Sequence, residues 1–225
     1  MGRPSLFCIA ILWGLAVDML SGKEIQDAGL DDWRRLAQGL HASFLVESFA
    51  DALTFASSVG EVCAAAGQNP DVRLTGTFVD VKIGVDVTQL DVDLARQVSG
   101  IARSLGLKPD PAAVAQLELA LDTADREAIG PFWAAVLTGG THKGNDVFGP
   151  ADRIANLWFQ GTEPHETPRQ RFHLDLWLPP EVVPARIEAA LAAGGTVAYD
   201  DEAPAFTVLA DPQGNKVCLC TYLSR

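Results

Sequence analysis

The chain has few of the residues from which metal sites are usually built. It has only four histidines and four cysteines among 225 residues, and no Cys-x-x-Cys pair occurs. The sequence therefore predicts neither a structural zinc site nor a thioredoxin-type redox motif. The cysteine pattern is instead typical of a protein in a reducing cytoplasm.

Basic residues are also scarce. The 17 lysines and arginines stand against 29 acidic residues, which gives a net charge of −12. A chain this acidic repels phosphate backbones and anionic lipid, so we expect neither nucleic acid nor a membrane surface as a partner. Because 48% of the residues are hydrophobic, the chain has enough apolar side chains for a folded core.

The apolar run at 6–17 is too short to span a bilayer comfortably. Three interpretations of residues 1–19 stay open. The run could be the core of a signal peptide, although Asp18 follows it at once. It could be an extra packed helix, or it could precede a functional chain that begins near Met19 rather than at Met1.

Residues 20–107 predict a first domain of the α+β class. Asp31 and Asp32 indicate a helix start before a helix at 33–40, because acidic side chains favour a helix N-terminus. Ser48 is a cap for a long helix whose predicted apolar stripe consists of Phe49, Ala52, Leu53, Ala56, Val59, Cys63 and Ala66. The remaining predicted elements are a strand at 42–46, an alternating strand at 77–85 and a helix from Asp91. We expect the helices to cover one face of the sheet.

Several segments of this half resemble pterin-4a-carbinolamine dehydratases over about 28–104. They are Trp33, Phe44 to Phe49, the Asn69-Pro70-Asp71-Val72 sequence and Leu90 to Ala95. In that family, histidines at the end of the long helix and of the alternating strand are implied to move protons as hydroxide leaves the pterin. Imidazole suits this task because it titrates near neutral pH.

The chain departs from that family at the decisive positions. Gln68 stands where the first histidine belongs, Asn69 matches a tolerated alternative, and 84–86 contains no histidine. Gln68 and Asn69 are therefore the catalytic candidates, although neither side chain titrates near pH 7. An alternative interpretation is that Gln68-Asn69-Pro70 simply ends the helix, with asparagine in the left-handed conformation. We expect dehydratase activity to be weak or lost.

A Pro-rich segment at 108–112 predicts a linker, and 113–225 contains a duplicated strand–helix–strand unit. The first unit has strands near 116–121 and 154–160, and its helix ends at Gly139-Gly140. The second has a strand at 172–178, a helix from Pro180 and closing strands around the 211–214 turn. Along the last strand, Val217 and Leu219 alternate with Cys218 and Cys220.

This half resembles the vicinal oxygen chelate superfamily of glyoxalases, bleomycin-resistance proteins and ring-cleaving dioxygenases. The resemblance rests on Pro131-Phe132-Trp133, the Gly-Gly helix stops, His173 and the Asp211-Pro212-x-Gly214 turn. It implies a pair of βαβββ modules. It also implies that the four ligand positions of metal-dependent members correspond in this chain to Gln116, a residue near Trp158 or Gln160, His173 and Cys218.

Only His173 among those positions is a good ligand for a divalent metal, so the sequence favours a metal-free binding domain with no required cofactor. Glu118 and Asp175 are acidic neighbours on the same strand faces. Trp158, Trp177 and Phe206 could line an apolar cleft or pack in the core. We expect His142 and His165 in surface loops. The ligand-binding candidates are Gln116, Glu118, Trp158, His173, Asp175, Trp177 and Cys218.

The leading hypothesis is a two-domain protein that binds a small molecule, either a pterin or another flat ring. If the first domain is active, the protein is a lyase of the 4a-hydroxytetrahydrobiopterin dehydratase type. One alternative is a metal-dependent glyoxalase or dioxygenase centred on His173. Another is a protein that sequesters its ligand without turnover, as bleomycin-resistance proteins do. Both resemblances imply a homo-oligomer such as a dimer.

Overall fold

The computed structural model describes residues 18–127, 129, 146–147, 155–164, 172–192, 194–210 and 216–225. Several predicted features lie outside these residues. They are the apolar run at 6–17, the segment at 131–133, Gly139-Gly140, His142, His165 and the 211–214 turn. None of the described helices has both the length and the apolarity that crossing a bilayer requires.

The first domain is a five-stranded sheet with two long helices on one face. Its strands lie in the order β1-β2-β4-β3, and β5 pairs with β2. The strands are β1 (Arg34–Arg35), β2 (Leu40–Leu45), β3 (Asp71–Leu74), β4 (Phe78–Ile83) and β5 (Lys108–Pro109). The helices are α1 (Gly22–Asp27), α2 (Phe49–Ala65) and α3 (Gln89–Ser104). The prediction of an α+β layer structure is confirmed.

Both long helices begin at side-chain caps. The Ser48 hydroxyl accepts a hydrogen bond from the Asp51 backbone N–H at 3.1 Å at the start of α2. The Asp91 carboxylate accepts one from the Thr88 backbone N–H at 2.8 Å at the start of α3. Such contacts satisfy backbone donors that have no partner within the helix. The helices therefore begin close to where the sequence predicted.

The buried face of α2 matches the predicted stripe in part, since Ala52, Val59 and Cys63 are buried as predicted. Phe55 and Val59 are completely buried in the core of the first domain, together with Phe44 of β2. Phe49 and Leu53, which were predicted to be buried, are 53% and 51% exposed. The apolar residues of α2 lie nearly all round the helix, so their spacing alone does not select the face that packs.

The predicted helix at 33–40 is wrong. Arg34 and Arg35 instead pair in antiparallel fashion with His41 and Leu40. Between the two strands, Gly39 has φ +80°, and a Cβ there would lie 2.1 Å from the carbonyl oxygen of Gly84. Only glycine fits this turn, and the turn prevents a helix. Lys108–Pro109, predicted as a linker, forms the short strand β5.

The second domain is a seven-stranded sheet in the order β10-β11-β12-β9-β6-β8-β7. Its described strands are β6 (Gln116–Thr123), β7 (Asp146–Val147), β8 (Asn156–Gly161), β9 (Phe172–Trp177), β10 (Thr196–Tyr199), β11 (Phe206–Ala210) and β12 (Lys216–Cys220), and its described helix is α4 (Val183–Ala192). The antiparallel pair β6–β9 joins two modules at the centre. Each module adds a parallel partner, β8 to β6 and β12 to β9.

Two phenylalanines of α2 provide a test of the first core. We expect Phe55→Ala to lower the free energy of unfolding by about 3–5 kcal/mol, because it leaves a cavity in a packed core. Phe49→Ala, on the same helix but 53% exposed, should change it by about 0.5 kcal/mol or less. Urea denaturation followed by circular dichroism measures both. Equal losses in the two variants would contradict this assignment of the buried face.

Candidate functional site

One face of the second sheet carries polar side chains from four neighbouring strands. The strand pairing aligns Asp175 of β9 with Glu118 of β6 on one side and with Cys218 of β12 on the other. Asn156 of β8 continues this row beyond Glu118. Since side chains alternate along a strand, the residues two positions away lie on the same face.

A second row includes His173 of β9, Ala120 of β6 and Trp158 of β8. Ala120 is completely buried between the two larger side chains. Trp158 and His173 both line a cavity of about 1290 Å³. Its aromatic lining consists of Trp158, Phe172, His173, Tyr199 and Phe206. Its polar lining includes Asp122, Gln160, Asp175, Lys216, Cys218 and Arg225.

His173 lies between two carboxylates. Its Nδ1 is 3.5 Å from Asp122 Oδ1, and its Nε2 is 3.5 Å from Asp175 Oδ1. Trp158 packs edge-on against the imidazole, with ring centroids 5.8 Å apart, and its Nε1 donates to Asp175 Oδ2 at 2.8 Å. Asp122 Oδ1 is buried without a hydrogen bond among the described residues. The donor that faces this oxygen is His173 Nδ1.

His173, Asp175 and Cys218 each offer one donor atom, and these atoms lie within 4.8 Å of one another. Burial, followed by the charge of Asp175, raises the pKa of the Cys218 thiol from 9.0 to about 12. Burial likewise raises the pKa of the Cys220 thiol. Without a metal, these thiols are protonated at neutral pH and are poor nucleophiles.

The first domain occupies part of the same sheet face. Gln38, only 8% exposed, receives a hydrogen bond at 2.6 Å from Asn156 Nδ2 to its side-chain oxygen. Its amide nitrogen donates to Glu118, and its backbone N–H donates to Gln116 Oε1 at 3.1 Å. Trp177 Nε1 donates to the second oxygen of Glu118 at 2.9 Å. The predicted candidates Gln116, Glu118 and Trp177 are thus engaged by the domain interface.

The ligand-binding candidates therefore fall into two groups. Trp158, His173, Asp175 and Cys218 lie together at the cavity, whereas the other three lie at the interface. Asp122 lines the cavity but is not among the candidates that the sequence indicated. Its alternation with Glu118 and Ala120 on β6 would have placed it on the same face.

Arg225 is a further site residue that the sequence did not indicate. Its guanidinium lies 4.6 Å from the centre of the Trp177 ring and 5.9 Å from that of Phe206. Cation–π contacts of this kind hold a guanidinium in place while leaving its N–H groups available. Because Arg225 is remote in sequence from Trp177, no local pattern could reveal the contact.

The catalytic candidates of the first domain lie at the end of α2. The backbone N–H of Gln68 donates to Cys63 O at 2.8 Å, and Gly67 has φ +70°. This is a glycine-terminated helix end, in which Gly67 rather than Asn69 adopts the left-handed conformation. Among the described residues, neither Gln68 nor Asn69 lines the cavity of about 1290 Å³ beside His173.

Comparison with known proteins supports two distinct halves. Residues 18–101 match the family model described as pterin 4 alpha carbinolamine dehydratase, and residues 118–220 match the model of a glyoxalase-like domain. Two strains of Halobacterium salinarum have a protein named "Putative pterin-4-alpha-carbinolamine dehydratase". Each is 29% identical to this chain over 84 residues, which is 36% of this chain and 92% of the relative.

A comparison with solved structures gives a further likeness. The crystal structure of a transcriptional coactivator/pterin dehydratase from Brucella melitensis is 25% identical, with a TM-score of 0.36. The match covers 38% of this chain and 99% of that chain. The two family models match in the order that the sequence predicted. This chain therefore joins a pterin dehydratase-like domain to a glyoxalase-like domain, in that order along the sequence.

Proposed function

We propose that this protein binds a flat heteroaromatic small molecule in the cavity of its glyoxalase-like domain. The observation that carries this proposal is the cavity of about 1290 Å³ with aromatic rings and convergent polar groups. Ligand pockets typically combine an apolar lining with a few placed polar side chains. Tyr199 and Phe206 stack with ring centroids 5.9 Å apart, and they give a flat ligand a surface to pack on.

Hydrogen bonding would orient the ring within the cavity. Asp175 already accepts from Trp158, and the carboxylates of Asp122 and Glu163 in the cavity lining are acceptors for N–H groups of the ligand. His173 can donate or accept, depending on its tautomer. A pterin fits this pattern because one edge of its ring system carries an amino group and a ring N–H. We propose that binding occurs in the cytoplasm and in a homo-oligomer.

We also propose that the dehydratase-like domain is a weak or inactive catalyst. Gln68 and Asn69 can hold a polar ring by hydrogen bonds, but they cannot exchange protons at neutral pH. General acid–base groups contribute about 10²- to 10⁴-fold to such reactions. The loss of the imidazoles therefore removes most of the expected rate enhancement.

A second candidate is a metal-dependent enzyme, and the spacing of His173, Asp175 and Cys218 favours it. Two ligands about 2 Å from a tetrahedral ion lie about 3.3 Å apart, close to the 3.5 Å between His173 Nε2 and Asp175 Oδ1. The mixed imidazole, carboxylate and thiol set suits zinc. Asp122, beside Nδ1, would orient the imidazole. A bound zinc ion would supply an activated water or polarise a carbonyl.

Binding can be tested with pterin as a fluorescent probe. We expect Phe172→Ala, which removes a ring from the cavity lining, to weaken binding about tenfold, because a lost aromatic contact costs about 1.4 kcal/mol. Phe49→Ala removes a ring from the first domain that is 53% exposed, against 41% for Phe172, and should leave the dissociation constant unchanged. Fluorescence titration measures both. Equal affinities in wild type and Phe172→Ala would place the ligand elsewhere.

Catalysis can be tested by the dehydration of a 4a-hydroxytetrahydropterin. We expect the wild-type rate to stay close to the rate in buffer, and the double variant Gln68→His/Asn69→His to exceed it, because imidazole groups return to the helix end. Histidines placed at Ser57 and Ala64, on the exposed side of α2, are the matched control. Clear acceleration by the wild-type protein would mean that another group moves the proton.

The metal-dependent candidate predicts about one zinc ion per chain by elemental analysis. Cys218→Ala should lose this zinc, whereas Cys63→Ala, which removes a buried thiol from the first domain, should retain it. Asp122→Asn should weaken zinc affinity by about 10- to 100-fold, because it disturbs the orientation of His173. Purified wild-type protein that takes up no zinc would remove this candidate and leave binding without turnover.

A further inference from the structure

A cleft of about 410 Å³ lies between the two domains, and both contribute to its walls. The first domain supplies Ala37, Gln38, Val85 and Asp86, and the second supplies Glu118, Trp158, Asp175, Trp177 and Arg225. The cleft is therefore not a feature of either family fold alone.

The walls of this cleft are held in place by buried contacts. Gln38 bonds to side chains on β6 and β8. Beside it, Leu36 packs with Val114, Trp177 and Cys220 in a small hydrophobic cluster that includes both domains. Opening the interface would expose this cluster and break the hydrogen bonds that the Gln38 amide makes to Glu118 and Asn156. The first domain thus has a defined position beside the sheet.

The cleft shares part of its lining with the cavity of the second domain. Trp158, Asp175 and Arg225 line both spaces. Arg225 lies over Trp177, which belongs to the cleft, and near Phe206, which belongs to the cavity. A ligand that lies against the shared residues can therefore extend toward the first domain.

The charges of the lining indicate the chemistry of such a ligand. The lining of the cavity includes three acidic side chains, Asp122, Glu163 and Asp175, and two basic side chains, Lys216 and Arg225. The lining of the cleft includes three acidic side chains, Asp86, Glu118 and Asp175, and the basic side chain of Arg225. Arg35 interacts electrostatically with Asp86 and Glu118. Carboxylates favour hydrogen-bond donors and positive charge. At the first-domain side, Val85 offers an apolar surface that is 55% exposed.

We infer that the two domains build one composite ligand site, in which Val85 and Asp86 contact the end of a flat, donor-bearing ligand that extends beyond the cavity. This inference rests on the proposed function, because it concerns the same cavity. Under it, the first domain acts as a wall that selects the ligand. The first domain then determines which ligand the two-domain protein binds, even if this domain does not itself catalyse a reaction.

The experiment uses the full chain and pterin as the probe. Val85→Trp fills the cleft from the first-domain side and should weaken pterin binding about tenfold or more. Leu45→Trp adds the same ring to an exposed leucine on β2 and should leave the affinity unchanged. Thermal melting confirms that both variants fold.

A charge reversal provides the second variant. Asp86→Lys places a positive charge in the cleft and should weaken binding about threefold or more, because it replaces an acceptor of the ligand donors. Asp80→Lys, on β4 and outside the cleft, is its matched control. This pair does not depend on whether tryptophan is tolerated at position 85.

The outcomes separate the two proposals. Weaker binding in Val85→Trp and Asp86→Lys, with both controls unchanged, supports the composite site. Equal binding in wild type and all variants overturns the composite site and leaves ligand binding by the second domain intact. A wild-type protein that does not bind pterin overturns the proposed function for this ligand class, and the composite site with it.

Discussion

The strand pairing at the centre of the second sheet is the constraint on which the candidate site depends. The antiparallel register of β6 and β9 places Glu118 beside Asp175, and the parallel register of β9 and β12 places Cys218 on the other side. A slip of one residue would turn every one of these side chains to the opposite face. Leu176 and Leu219, which alternate with them, pack on that opposite face. Packing of the apolar face of the second sheet therefore determines which polar side chains lie together on its other face.

The second determining contact is the burial of Gln38 between the domains. A buried amide without partners is costly, and Gln116, Glu118 and Asn156 provide partners for it. The same contact divides the polar face into two regions. One region is filled by the first domain, and the other, around His173, stays open to a ligand. The position of the first domain thus defines where the site of the second domain ends.

The two halves of the chain relate differently to the families that they match. The dehydratase-like half has the layered fold, and it has Gln68 and Asn69 at the helix end where the sequence resemblance leads us to expect histidines. The glyoxalase-like half keeps paired modules and a large cavity, and it places a histidine, a carboxylate and a thiol together. Fold is set by many apolar contacts, whereas chemistry depends on a few side chains. A domain can therefore retain its fold after its catalytic groups are replaced.

The sequence by itself determined the two-domain order, both long helices of the first domain and the alternating faces of β6, β9 and β12. These features follow from local caps and from periodicity, which neighbouring residues carry. Only the tertiary structure decided that 33–40 forms a strand and turn, because the close approach of Gly39 to Gly84 is non-local. Only the tertiary structure, too, places His173 at the cavity and Gln116 at the domain interface, and packs Arg225 on Trp177. Strand register and domain docking depend on contacts between distant residues, which periodicity does not encode.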